Sequence, residues 1–366
     1  MGVTGTSLRL VDRHPRHDVA TLVESLVPPR RFSDVRFDTF LPDASHPSQA
    51  AARDGLVAFI ADLVGQQAGR PVRPSPLSRL ARRRHRPAPT GDATRGRYLD
   101  GGYGVGKTHL LAAAWYEATF NLVPSAYLTF AELTAIVGFL GMPAAIEAFA
   151  HFRLLCIDEF ELDDVGNTLL AVTFLRAAVA KGGARVVTTS NSLPDRLGEG
   201  RFAADDFRRE ITAIADHFDV VRIDGPDYRA RTRHEADCVA PDVAARVAGA
   251  ALEGGTAVAV DDAVDVIGHL RSIHPVQYHA LVDGLDLVVM ENLRPLPNQG
   301  DALLFVHLVD ELYDAGVPVV LEGRPIGDLF PETYRHGGYR KKYGRCESRL
   351  AALCAEAADS FCGPPA

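Results

Sequence analysis

The sequence predicts an α/β fold in which a parallel β-sheet is flanked by helices. Three observations carry this. A glycine-rich stretch, "GGYGVGKT" at residues 101–108, lies between a strand-like "RYL" and the helical run "THLLAAAWYEATF". An apolar run at residues 154–157 ends in Asp158 and Glu159, which is how a strand buried on both faces of a parallel sheet reads. Farther on, "LDLVVMENL", "GDALLFVHLVDELYDAG" and "VPVVLEG" alternate strand, helix and strand, a βαβ unit whose home is a parallel sheet.

The glycine-rich stretch is a complete G-x-x-x-x-G-K-[ST] pattern, made of Gly101, Gly102, Tyr103, Gly104, Val105, Gly106, Lys107 and Thr108. A bare turn from strand to helix presents orphan N–H groups at a helix N-terminus, where they and the macrodipole attract phosphate. Lys107 is placed to reach the β- and γ-phosphates, and the Thr108 hydroxyl to complete a magnesium shell. The expected ligands are therefore ATP and Mg2+, in a P-loop NTPase fold.

Asp158 and Glu159 follow about fifty residues later, at the C-terminal end of their strand, the edge where open α/β sheets bind ligands. Asp158 is expected to hold magnesium through water, and Glu159 to orient and polarise the attacking water. After the helix "TLLAVTFLRAAVAKGG", a third strand, "ARVVTTSNSLP", finishes in Thr188, Thr189, Ser190 and Asn191. Of these, Asn191 is the expected γ-phosphate sensor. Arg201, Arg208 and Arg209 in "GRFAADDFRREI" are candidates for stabilising the transferring phosphoryl group.

Composition bounds the rest. The chain has 366 residues, 47% hydrophobic and 23% charged, as in an ordinary globular protein. Its net charge of −8 argues against binding nucleic acid or membrane with the whole surface. Residues 70–97 hold nine arginines and one acid, Asp92, so the remainder carries about −16. This proline-rich stretch lacks interleaved aromatics and reads as a solvated linker. Five scattered cysteines without C-x-x-C spacing suggest reduced thiols and no zinc. With no apolar leader at the start, a cytoplasmic location is expected. The "DELYD" cluster, Asp310, Glu311 and Asp314, reads as a solvated acidic helix face rather than a metal site. The expected organisation is a helical N-terminal segment (1–69), the Arg/Pro-rich linker (70–97), a P-loop ATPase core (98–230) and a C-terminal α/β extension completing the ATPase module (231–366). Residues 231–275 resist assignment apart from the strand-like "GTAVAVDD".

Taken in order, the phosphate loop, "LLCIDEF", "TTSNSLP", "DGPDYR", "HLVDELYDAGV" and "RCESRL" resemble the ZapE/AFG-one-like ATPases, a branch of the AAA+ superfamily. "FDTFLPDASHPSQAAA" near the start resembles that family's N-terminal segment, and the resemblance covers roughly residues 30–355. It implies an AAA+-like sheet and a magnesium-dependent ATP hydrolase that works as a homo-oligomer and remodels a protein partner. For bacterial members the partner is the FtsZ ring of cell division, so that membrane association comes only through a partner. It further implies Asn191 as sensor, Arg209 as finger and Arg349 as a second sensor toward the nucleotide. The loop departs from the family in Val105, where an arginine is usual, and in His109, which follows Thr108 where a methionine is usual. His109 is counted with the loop as nucleotide-binding. The arginine–phenylalanine pair is shifted, which leaves Arg201 and Arg209 both open as finger. The alternative function is a DNA-associated ATPase such as a helicase loader or replication initiator, whose loops are similar to "GVGKTHLL". A nucleotide-binding scaffold without turnover is disfavoured by the presence of Glu159.

Overall fold

The computed structural model describes residues 5–15, 19–67, 96–102, 104–160, 165–190, 218–226, 237–336 and 339–362. In chain order the strands are β1 (Thr6–Leu8), β2 (Gly96–Gly101), β3 (Ser125–Thr129), β4 (Leu154–Asp158), β5 (Arg185–Ser190), β6 (Phe218–Ile223), β7 (Ala257–Asp262), β8 (Leu287–Leu293) and β9 (Val319–Gly323). The helices are α1 (Val19–Glu24), α2 (Pro47–Gln67), α3 (Lys107–Phe120), α4 (Phe130–Leu140), α5 (Met142–Phe149), α6 (Val165–Gly182), α7 (Pro241–Glu253), α8 (Ala263–Leu270), α9 (Tyr278–Val282), α10 (Gln299–Ala315), α11 (Glu332–Arg335) and α12 (Arg340–Ala357). They fall into two compact units: a central one of Asp18–Pro28 and Phe32–Arg231, and a C-terminal one of Met1–His17, Pro29–Arg31 and Thr232–Ala366.

The central unit is built on a parallel five-stranded sheet in the order β3-β4-β5-β2-β6. β4 and β5 are buried along their whole length: β4 through its apolar run, and β5 with Arg185, Thr188, Thr189 and Ser190 buried beside its two valines. One face is covered by α2 and α3, whose Leu56, Ile60, Leu110 and Leu111 pack with Leu99, Leu154, Cys156 and Val187. α3 is buried around most of its circumference, which explains why its alanine- and leucine-rich sequence shows little amphipathicity. Because β5 lies between β2 and β4, with Leu99 opposite Thr189 and Ile157 opposite Thr188, the phosphate-loop strand and the acidic strand flank β5 at one edge.

The C-terminal unit has its own parallel sheet, β1-β7-β8-β9. β8 alternates between its two cores: Leu287 and Val289 pack with α7, and Val288 and Met290 with α8, α9, α10 and α12. The expected β8–α10–β9 unit is present.

The organisation differs from the one the sequence suggests. The first strand pairs with β7, so residues 1–69 are divided between the units. The expected C-terminal α/β extension carries a sheet of its own. β2 begins at Gly96, within the stretch read as linker; residues 70–95 lie outside the described residues. Residues 241–253, unassigned from sequence, form α7, which opens on Pro241 and buries Ala244, Val247, Ala248 and Ala251 along one face. Among the described residues no single helix is long and apolar enough to cross a membrane; α4 and α5 pass only as a pair bent by 119°.

Leu122, in the turn after α3, sits at φ 61° with its side chain 85% exposed. An exposed leucine in the left-handed region forfeits about 1 kcal/mol without gaining burial. Leu122→Asn should therefore raise stability by roughly 0.5–1 kcal/mol, read as a higher denaturation midpoint.

Candidate functional site

The site lies at the C-terminal edge of the central sheet, where β2 runs into the phosphate loop. Gly101 approaches the carbonyl of Ile223 too closely for any Cβ. Gly104 (φ 68°) and Gly106 (φ 90°) adopt left-handed backbone that other residues resist. Gly106 is the N-cap of α3, which has no side-chain cap and no acid in its first turn, the kind of helix start that attracts an anion. Val105 turns its side chain into the core and offers the loop only its backbone. The Lys107 ammonium donates to the carbonyls of Gly101 (2.7 Å) and Gly102 (2.6 Å), lying along the loop. Tyr103 lies outside the described residues.

Asp158 is buried at the end of β4, and four groups converge on its carboxylate. Thr108 Oγ1 donates to Oδ1 at 3.3 Å, Thr189 Oγ1 donates to the same oxygen, Tyr127 Oη donates to Oδ2 at 2.9 Å, and the Glu159 N–H donates to Oδ1 at 3.0 Å. A hydroxyl and a carboxylate this close are oxygen donors of the kind magnesium takes, completed in such sites by water and substrate phosphate. Among the described residues no three His, Cys, Asp or Glu side chains gather into a metal cage.

Glu159 has left-handed backbone (φ 51°), a conformation that costs a non-glycine residue about 1–2 kcal/mol. Its N–H is held by Asp158 Oδ1 and by Thr189 Oγ1 (3.0 Å), while Phe160 N–H donates to the Thr189 carbonyl at 2.7 Å. The strand end is thereby turned sharply at Glu159, whose side chain is half-buried.

Several partners escape a reading by sequence. Tyr127 and Thr189 orient Asp158 from neighbouring strands; the parallel register that sets Thr129 opposite Asp158 is the signal that brings Tyr127 near. Glu132 closes a capping box with Thr129 at the start of α4, and burial pushes its carboxyl up, with Asp158 and Glu159 adding to the rise. Asp100, buried at the end of β2, is likewise raised by burial, against the pull of Arg222 and Lys107.

Asn191, Arg201, Arg208 and Arg209 lie outside the described residues. Arg349 is in the C-terminal unit, where it donates to Asp310 Oδ1 at 2.6 Å; Arg345 donates to Oδ2 at 2.9 Å. This corrects the expected solvated face: the Asp310 side chain is 17% exposed and bridges two guanidiniums because α10 packs against α12. The His109 ring turns to residues 36–40, where Nε2 lies 3.1 Å from both Thr39 Oγ1 and the Arg36 carbonyl.

The chain is similar to several known proteins. A family described as AFG1-like ATPase matches residues 27–242 and 235–359. "Cell division protein ZapE" of Escherichia coli K12 is 28% identical over 308 residues, covering 72% of this chain and 78% of its own. Among solved structures, DnaI aligns with a TM-score of 0.40 at 20% identity, over 56% of this chain and 98% of its own. AMPPCP-bound DnaA from Aquifex aeolicus aligns with a TM-score of 0.37 at 15% identity, over 52% of this chain and only half of its own. With a complete phosphate loop beside an acidic strand end and a family match over most of its length, the chain belongs to the AFG1-like ATPases.

Proposed function

We propose that the chain hydrolyses magnesium-bound ATP at the edge formed by β2, β4 and β5 and uses the turnover to remodel a protein partner. The observation that carries this is the convergence of Thr108, Thr189 and Glu159 N–H on Asp158 beside the loop of Gly101 to Thr108. The loop N–H groups and Lys107 bind the phosphates, Thr108 and Asp158 hold the magnesium, and Glu159 orients the attacking water. Bound magnesium supplies neutralisation of the charge that develops on the phosphate oxygens. Tyr127 and Thr189 keep the Asp158 carboxylate turned toward Thr108. Asn191 serves as sensor, Arg201 or Arg209 as finger on a neighbouring copy in a homo-oligomer, and Arg349 as second sensor. The name of the E. coli relative and the family resemblance support a place in bacterial cell division, in the cytoplasm, with FtsZ as the partner.

The test is steady-state ATPase activity against protein concentration, with and without magnesium, in the presence of FtsZ polymer or single-stranded DNA. Turnover is expected to need magnesium, to rise steeply with concentration and to respond to FtsZ. Stimulation by DNA alone would favour a replication-loading role. Lys107→Ala should weaken ATP binding by about 10- to 100-fold through loss of charge-assisted hydrogen bonds, read by titration with a fluorescent ATP analogue.

A further inference from the structure

Within α3 the last glycine of the phosphate loop is held through its backbone, the Leu110 N–H donating to the Gly106 carbonyl at 3.1 Å, with no side-chain cap. Its N-cap is Gly106 itself, which has no side chain to hold it. A further hold comes from residues 36–40, about seventy positions earlier in the chain. The Phe40 ring occupies the space a Cβ on Gly106 would need, with Cε2 only 2.5 Å from that point. The same ring meets His109 edge to face at 5.4 Å. Thr39 Oγ1 accepts from the Arg36 N–H and donates to the Arg36 carbonyl, each at 2.9 Å, closing a tight turn. His109 Nε2 then faces two acceptors, Thr39 Oγ1 and the Arg36 carbonyl, so its partners select the tautomer that carries the proton on Nε2. Seven residues along the same face of α3, Tyr116 takes the Arg36 guanidinium over its ring at 4.2 Å.

The segment is fastened at its other end as well. Buried Gln49 accepts from the Asp43 N–H at 2.8 Å and donates to the Asp224 carbonyl at 2.9 Å, and the Asp224 N–H donates to Ser48 Oγ at 2.9 Å. Residues 36–49 thus run from the first turn of α3 to the exit of β6, pinned at both.

We propose that Thr39, Phe40 and His109 form a clasp that positions Gly106 and the first turn of α3 for phosphate binding. They act as positioning residues of the ATPase reaction. The inference rests on the reading that Gly101 to Thr108 hold the ATP phosphates. A cradle of backbone N–H groups binds tightly only while its geometry is held, and small displacements of such groups weaken binding steeply.

The experiment measures affinity for a fluorescent ATP analogue, KM, kcat and the thermal midpoint without nucleotide for wild type, His109→Ala, His109→Gln, Phe40→Leu and Lys107→Ala. His109→Ala is expected to raise Kd and KM for ATP about tenfold, the scale of one well-placed hydrogen bond, with kcat within about twofold. His109→Gln, which keeps an N–H donor, should recover most of that loss. Phe40→Leu, which keeps an apolar filler without the ring over Gly106, should show the same rise should His109→Ala fail to fold. Unchanged ATP affinity in both His109→Ala and Phe40→Leu would overturn the clasp. So would losses that track the thermal midpoint and that glutamine leaves unrepaired. Undiminished binding by Lys107→Ala would instead overturn the phosphate-loop reading, whatever the clasp variants do.

Discussion

Glu159→Gln is expected to bind ATP within about twofold of wild type and to turn it over about 10²–10⁴-fold more slowly, the range for loss of a positioned base. Glutamine is nearly isosteric, and what holds residue 159 in place is its backbone: the N–H bonds to Asp158 and Thr189 and the φ of 51° do not depend on the side-chain charge. The loop, Lys107 and Asp158 are untouched, so binding stays. What is removed is a carboxylate able to polarise water at the ligand edge. Single-turnover hydrolysis beside analogue binding separates the two. Normal turnover would assign the role to another carboxylate; among the described residues Glu132 is within electrostatic reach, and its proton is held more tightly than usual by burial. Its carboxylate, however, accepts from the Thr129 N–H at 2.5 Å and is committed to capping α4. Glu132→Gln should therefore keep turnover within about threefold while losing part of a cap that contributes roughly 1 kcal/mol.

The parts of this site legible in the sequence are those whose determinants are local. A glycine pattern between strand and helix needs only eight consecutive residues, and the strand of residues 154–158 announces both its burial and its acidic end within five. What was not legible depends on register and distance. Tyr127 reaches Asp158 only because β3 and β4 are parallel with Thr129 opposite Asp158, and Thr189 only because β5 is inserted between β4 and β2. Residues 36–40 meet His109 across a separation that no periodicity can signal. β1 has three residues and finds its partner about 250 positions later, so neither length nor pattern marks it as a strand of the C-terminal sheet.

Asp310 shows the same limit in energetic form. In "HLVDELYD" an aspartate between apolar positions looks like the wet side of an amphipathic helix, and only the packing of α12 on α10 brings Arg345 and Arg349 to it. Arg349 also lies over the Tyr313 ring at 4.8 Å, and Arg31 lies over that ring at 3.5 Å, so the carboxylate anchors a wider packed arrangement. Removing one member of such a group leaves uncompensated charge in a poorly solvated place, which costs far more than an exposed pair is worth. Asp310→Ala should destabilise the C-terminal unit by about 3–5 kcal/mol, read as a lowered midpoint in thermal or urea denaturation.

Acid supplies an independent check. Burial raises the Asp310 carboxyl, but Arg349 and Arg345 more than offset this and hold it below the usual aspartate range. A carboxyl depressed on folding contributes stability that is fully present above its unfolded pKa, about 3.9, and is lost as pH falls through its lower folded value. The gap between wild type and Asp310→Ala should stay constant from neutrality down to about pH 5 and narrow only below the unfolded value near 3.9. A gap that widens between pH 7 and 5 would point to histidine titration, with His307, which burial holds below its usual range and Asp310 pulls back up, as the group facing the carboxylate. A gap absent at every pH would mean that the two guanidiniums find adequate solvent without the aspartate, and that α10 and α12 are held together by their apolar contacts alone.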